Sequence, residues 1–334
     1  MRITRRAGLV AAAAGVIVVV AGPQVAQAAP RCFGKRATMV GTGKDDKLNG
    51  TPRRDVIAGL DGHDRINGRA GDDLICGGGG RDIIRGKAGD DEVSAGGKRD
   101  VVLGHAGHDR LSGGGGADVL VGAVGSDQMF GGPGGEVAMA GGPENDLYDG
   151  GPGVFDAAWF DRSPVGVVVD LNLTAPQNTN EGIDTVIGVE GVYGSAFNDV
   201  ITGQNVPSAT GNGLFGLDGT DQLLGMDGDD VIDGGAGNDK GGPGVGQVNG
   251  GLGGDIIIGE SGDDDLFGEA GNDLLDGFEE GEITGDFGSG GPDIDECFGI
   301  ETPDPDPANA CEMNFPRDSL ARMARWPAAR PAWR

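Results

Sequence analysis

The chain has 334 residues, 70 of them glycine and only 5% aromatic, which excludes a conventional core of large interlocking side chains. Its 53 Asp and Glu against 25 Lys and Arg give a formal net charge of -28. That charge opposes compaction without counter-ions and argues against nucleic acid as a partner. Residues 1–28 read as a secretory signal peptide: Arg2, Arg5 and Arg6 precede an apolar stretch over 9–21, and Ala26-Gln27-Ala28 supplies a small-residue cleavage site before Ala29. The stretch is short for a membrane span and none follows, so the mature chain is expected to have no transmembrane segment and to be secreted and extracellular. Thr4-Arg5-Arg6 leaves both the general and the twin-arginine export routes open.

Residues 29–155 form a first array in which an aspartate recurs every nine residues, at Asp46, Asp55, Asp64, Asp73, Asp82, Asp91, Asp100, Asp109, Asp118 and Asp127. Two residues after each stands a mostly apolar residue, from Leu48 and Ile57 to Leu120 and Met129. Glycines cluster before the aspartate, as tight turns with positive φ require. The three residues after the turn are expected to form a very short strand with its central side chain inward. Nine residues is then half a coil. Aspartates eighteen apart fall on one edge, so the first array has two columns of carboxylates. The phase slips by one near Ala140, where Glu136 replaces an aspartate and Asp146 follows. Residues 156–202 read as a widened coil or insert, with a strand over 165–173, a second over 185–192 and a renewed unit over 194–202 that contains Asp199. Residues 203–311 form a second array: Asn212, Asp221, Asp230 and Asp239 keep the nine-residue phase, the unit after Asp239 is defective, and regularity resumes with Asp255, Asp264 and Asp273. Weaker or absent sites are expected at Glu136, Gly246 and Glu282. Residues 312–334 are a basic tail with Trp326 and Trp333, read as disordered or laid against the acidic array.

Stacked carboxylates beside inward-turned carbonyls make a set of hard oxygen ligands, which suits calcium. The best copies read GGAGND at 234–239 and GEAGND at 268–273. With the unbroken phase, they make the chain resemble the RTX (repeats-in-toxin, haemolysin-type calcium-binding) family over roughly residues 41–296. The resemblance implies an all-β fold, a parallel β-roll (β-helix solenoid) of nonapeptide GGxGxDxUx repeats. It also implies several Ca2+ ions between neighbouring coils. On it, the metal ligands are Asp46, Asp55, Asp64, Asp73, Asp82, Asp91, Asp100, Asp109, Asp118, Asp127, Asp146, Asp221, Asp230, Asp239, Asp255, Asp264 and Asp273. Many members of that family leave the cell through a carboxy-terminal signal; here the leader is at the front and the tail bears arginine.

Four cysteines fit an oxidising compartment and allow three pairings. Proximity favours Cys32–Cys76 and Cys297–Cys311, a disulfide cap at each end of the repeats. Catalysis has little support, since there is neither an HExxH helix nor a G-x-S-x-G elbow. His63, His105 and His108 all fall in repeat turns. The function expected is a non-enzymatic, calcium-binding repeat protein that folds on calcium and serves a structural or surface-interaction role. The expected partner, besides calcium ions, is a cell-surface or matrix component. The alternative is a calcium-dependent secreted hydrolase with its site within 156–202.

Overall fold

The apolar residue two places after each aspartate turns inward, and that one stripe builds the core. Ile57, Ile66, Ile75, Ile84, Val93, Val102, Leu111, Leu120 and Met129 are each at most 1% exposed. The computed structural model describes residues 29–135, 137–153, 155–205, 211–239, 248–277, 287–291, 295–298 and 300, with strand backbones at Thr302–Pro303 and Met313–Phe315. Every regular element among these residues is a β-strand, and they stack as a parallel β-roll. One face is an unbroken parallel sheet of 14 strands, from Lys47–Asn49 to Met313–Phe315. The opposite face is in two pieces, of nine and seven strands. In the first array successive strands alternate between faces, so each pairs with the next but one. Ile66 lies opposite Ile84, and Val102 opposite Leu120.

The strands of the first array are longer than the D-x-U unit alone predicts. From Val56–Asp61 to Val119–Val124 they run six residues. The extension comes from the turn, whose residues also pair with the neighbouring coil, as Arg69 does with Lys87 and Ala70 with Ala88. Four residues before a ladder aspartate the backbone is left-handed. Leu60, Arg69, Lys87, His105 and Ala123 have φ between 81 and 93 there. For a residue with a Cβ that conformation costs about 1–2 kcal/mol. Glycine avoids the cost, and Gly78 shows a second need for it: a Cβ there would run into the Leu60 carbonyl of the preceding coil.

The slip near Ala140 is a one-residue change of step. Val119 lies opposite Ala138 and Gln128 opposite Leu147, nineteen residues on rather than eighteen. The widened coil then makes room for two aromatic side chains. Tyr148 and Phe160 are both at most 1% exposed, with ring centroids 5.5 Å apart, and Gly141 N–H donates to the Tyr148 hydroxyl at 3.0 Å. The strand expected over 165–173 is confined to Val168–Asp170, which pairs with Val200–Thr202. The one expected over 185–192 is two strands, Ile183–Ile187 and Gly191–Tyr193, one on each face. Gln177–Asn178 folds back antiparallel on Ile183–Ile187, and this is where the second face divides. The 14-stranded face passes through the same region in register, and its outer side carries a stack of Trp159, Tyr193 and Phe215 at 4.1 and 4.3 Å.

A short antiparallel hairpin, Arg31–Cys32 with Lys35–Arg36, lies over the first coils, its turn formed by Phe33 and Gly34 at φ 45 and 72. Cys32 is joined to Cys76 across a sequence separation of 44. Closing a loop of that length is worth about 4 kcal/mol in the chain-entropy model. Cys32→Ser should therefore lower the unfolding midpoint of the calcium-loaded protein and release the hairpin first, read as early proteolysis near residue 36. A midpoint unchanged from wild type would show that the hairpin holds by packing alone. Cys297 is also disulfide-bonded. Its expected partner Cys311, together with Glu136, Gly246, Glu282 and the leader, lies outside the described residues, as does the tail apart from Met313–Phe315, which pairs with Glu296–Phe298 as the last strand of the long sheet.

Candidate metal centre

The roll turns its aspartates inward, not outward. Asp64, Asp73, Asp82, Asp91, Asp100, Asp109, Asp118 and Asp127 are each at most 2% exposed. One oxygen of each carboxylate bonds to the neighbouring coil. Asp64 N–H donates to Asp82 Oδ1 at 2.8 Å, Asp82 N–H to Asp100 at 2.7 Å and Asp100 N–H to Asp118 at 2.8 Å. On the other edge Asp73 N–H donates to Asp91, Asp91 to Asp109 and Asp109 to Asp127, each at 2.8 Å. Each aspartate therefore ties its coil to the next through the backbone of its counterpart. In the second array the same bond links Asp221 to Asp239 and Asp255 to Asp273, at 2.7 and 2.9 Å.

The other oxygen is left over. Among the described residues, Oδ2 of Asp64, Asp73, Asp82, Asp91, Asp100, Asp109, Asp118, Asp127, Asp146, Asp221, Asp230, Asp239 and Asp255 is buried without a hydrogen-bond partner. A buried ionised oxygen without a partner is costly. It faces a turn glycine: at Gly59 an added Cβ would stand 2.5 Å from Asp64 Oδ2 and against the Gly77 carbonyl oxygen. Carboxylate and carbonyl oxygens thus converge on one side of a glycine that cannot be replaced without filling the space.

These oxygens fit a hard divalent cation. No three His, Cys, Asp or Glu side chains gather into a metal cluster among the described residues. The ligands beyond one or two carboxylates would be main-chain carbonyls, which calcium accepts readily. Burial pushes the carboxyls up, to about 7 at Asp91, Asp100, Asp127 and Asp255 and about 8 at Asp146 and Asp221. The backbone N–H bonds only partly offset that burial. A bound cation would restore the ionised form.

Three ladder aspartates differ. Asp46 Oδ2 accepts from Thr42 N–H at 2.6 Å and Thr42 Oγ1 at 2.9 Å. Thr51 N–H serves Asp55 at 2.6 Å, and Ser195 N–H and Oγ serve Asp199 at 2.6 and 2.8 Å. In each case the N–H four positions before the aspartate serves the carboxylate without a cation; the hydroxyl adds a second bond at Thr42 and Ser195, whereas Thr51 Oγ1 pairs with Arg53. Asp46 is also half-exposed, on the first coil.

Other rungs carry no GGxGxD signal. Asp156 and Asp184 are fully buried, and they accept from Val137 N–H at 3.0 Å and Asp146 N–H at 2.7 Å. Asp295 accepts from Asp273 N–H at 3.0 Å, and Asp199 from Val167 N–H at 2.7 Å. What Asp156, Asp184 and Asp295 keep is Asp-x-apolar, before Ala158, Val186 and Cys297. In the second array the ladder steps from Asp230 to Asp255 and from Asp239 to Asp264, 25 residues each time. Each step is seven residues longer than the usual eighteen, and the column continues across it. Two turn histidines act as structural acceptors. His63 Nδ1 accepts from Arg81 N–H at 2.8 Å and His108 Nδ1 from Ser126 N–H at 2.9 Å, both outside the core.

Residues 40–75, 49–84, 77–111, 103–135, 214–240 and 241–277 match the family model described as the RTX calcium-binding nonapeptide repeat (4 copies). These segments are RTX repeats, and the protein is a calcium-binding repeat protein with a β-roll fold that takes Ca2+ at multiple sites. A comparison with curated proteins found no match to the chain.

Proposed function

We propose that the chain is an exported, non-enzymatic RTX protein whose roll folds on calcium and works as a stiff spacer or binding face outside the cell. The observation that carries this reading is the run of buried, partner-less Asp Oδ2 atoms along the roll. That run makes calcium part of the fold. The ligand role goes to Asp64, Asp73, Asp82, Asp91, Asp100, Asp109, Asp118, Asp127, Asp146, Asp221, Asp230, Asp239, Asp255, Asp264 and Asp273, with Asp156 added from its unpartnered Oδ2. Asp46 and Asp55 are poorer candidates, because Thr42 and Thr51 already serve them. The basic start, short apolar stretch and Ala26-Gln27-Ala28 support export with cleavage before Ala29. No helix among the described residues is long and apolar enough to cross a membrane. Residues 156–202 serve in this reading as a coil, since their aspartates continue the ladder.

The test is to collect the protein from the culture medium and to delete residues 160–187. A mature chain beginning at Ala29 is expected. The deletion variant should keep calcium binding by the first array, with loss limited to the sites flanking the cut. Retention of an uncleaved leader inside the cell would refute export. Loss of a hydrolytic activity from the medium with the deletion, while calcium binding persists, would favour an enzyme instead.

A further inference from the structure

The net charge hides a division of the chain. Residues 29–110 carry 15 Lys and Arg against 13 Asp and Glu, whereas residues 111–311 carry 2 against 38. Seven of the 13 acids, from Asp55 to Asp109, are turned into the ladders and buried. The outside of the first coils is therefore basic on a chain that is acidic as a whole.

The bases are ordered. On the long sheet Lys47 lies opposite Arg65, Arg85 opposite Asn67, and Arg69 opposite Lys87. All five alternate with the buried residues of their strands, so they share the outer face. Neighbouring strands stand about 4.8 Å apart and alternate residues about 7 Å apart along a strand, which makes a grid of positive charge. His105, opposite Lys87, feels it: burial, and then the charges of Lys87 and Arg85, hold its imidazole below the usual range.

Two of these charges stand at a left-handed position of the turn. Arg69 and Lys87 have φ 83 and 93 there; Leu60, His105 and Ala123 take the same position elsewhere in the array, whereas Gly78, Gly96 and Gly114 fill it in other coils. In the second array the same position holds Leu217 and Met226, and then Glu260 and Glu269, both exposed, at φ 62 and 74. Glycine would relieve the strain at each of them.

The geometry points to self-association: the basic outer face of the first coils, around Lys47, Arg65, Arg69, Arg85 and Lys87, docks on the acidic outer surface of the second array of another copy. The occupant is a second copy because the complementary charge is carried by this chain, on a face of the same strand pitch. The inference goes beyond calcium binding and requires only the folded roll.

Sedimentation velocity of the mature, calcium-loaded chain tests it, at about 25 mM and about 500 mM NaCl, with circular dichroism as the folding control. Association at low salt that is lost at high salt is expected, since exposed charges are screened beyond a Debye length. The informative variant is Arg69→Gly with Lys87→Gly. It relieves strain, so it should fold at least as well as wild type, yet associate at least about tenfold more weakly. Glu260→Gly with Glu269→Gly should weaken association from the other side. A wild-type chain that stays monomeric at low salt, or a folded R69G/K87G chain that associates undiminished, would overturn the proposal. So would a monomeric wild type that binds heparin through the same two residues, which would assign the face to an external polyanion. A chain that fails to fold in calcium would instead count against the calcium-folding reading, and the dichroism separates the two.

Discussion

In excess chelator at pH 8 the mature chain is expected to be expanded and largely without β-structure, and millimolar calcium should convert it to a compact β-roll. The carboxyl shifts decide the sign and the size. Raising Asp146 from the ordinary 3.8 to about 8 is worth on the order of 5 kcal/mol. Even halved for solvent screening, two such residues match the lower end of a domain's net stability, about 5–15 kcal/mol. Asp91, Asp100, Asp127, Asp221 and Asp255 are raised as well, so the ionised roll without metal does not hold. A carboxyl raised in the fold binds its proton more tightly there than in the open chain. Its contribution to stability is complete below pH about 4 and is lost as pH rises through about 6–8. Acidifying the chelated chain from pH 8 to 5 should therefore restore β-structure without calcium. Calcium affinity should rise over the same window, as ions and protons compete for the same oxygens. Half-saturation is expected at about 10⁻⁴–10⁻³ M, with magnesium a poor substitute because it demands octahedral geometry. A chelated chain that is fully folded at pH 8, or that loses β-structure on acidification, would refute this account.

Much of the site was legible because a nine-residue phase leaves a mark at every copy. Asp64 to Asp127 could be placed on two edges without coordinates, and their apolar partners assigned to the core. Legibility failed where the glycine turn is missing. Asp156 follows a phenylalanine and Asp184 an isoleucine, yet both sit in the columns. Asp-x-apolar alone is too short a signal to stand out among 53 acidic residues. The bond from each aspartate N–H to the next Oδ1 was also hidden, since it depends on the register between coils and not on residue type. Thr42 and Thr51 show the converse: each stands four residues before its aspartate in the sequence, but the bonds they give Asp46 and Asp55 require the turn to be folded. The charge division was likewise in view in the sequence. Only burial of the ladder aspartates shows that the first coils present bases outside.

Replacing Asp91 should separate the two roles of one side chain. Its Oδ1 accepts from Asp73 N–H at 2.8 Å, while its Oδ2 has no partner in the fold. Asp91→Asn can keep the first bond and removes the buried negative charge. In chelator at pH 8 this variant should be more ordered than wild type, whereas its calcium stoichiometry should fall and the half-saturation point of the first array should rise. Asp91→Ala also strands the buried Asp73 N–H, which costs about 1–3 kcal/mol, so it should lose stability with calcium and be less ordered than D91N in chelator. Neighbouring coils should loosen with it, because stacked repeats are held by nearest neighbours. Asp46→Asn, on the first coil and already served by Thr42, should change calcium stoichiometry little. Calcium titration with calorimetric unfolding of the three variants reads all of this. Equal order of D91N and D91A in chelator would mean that the carboxylate matters to the fold only as a charge. A D46N variant that loses as much calcium as D91N would show that the hydroxyl caps do not replace the ion.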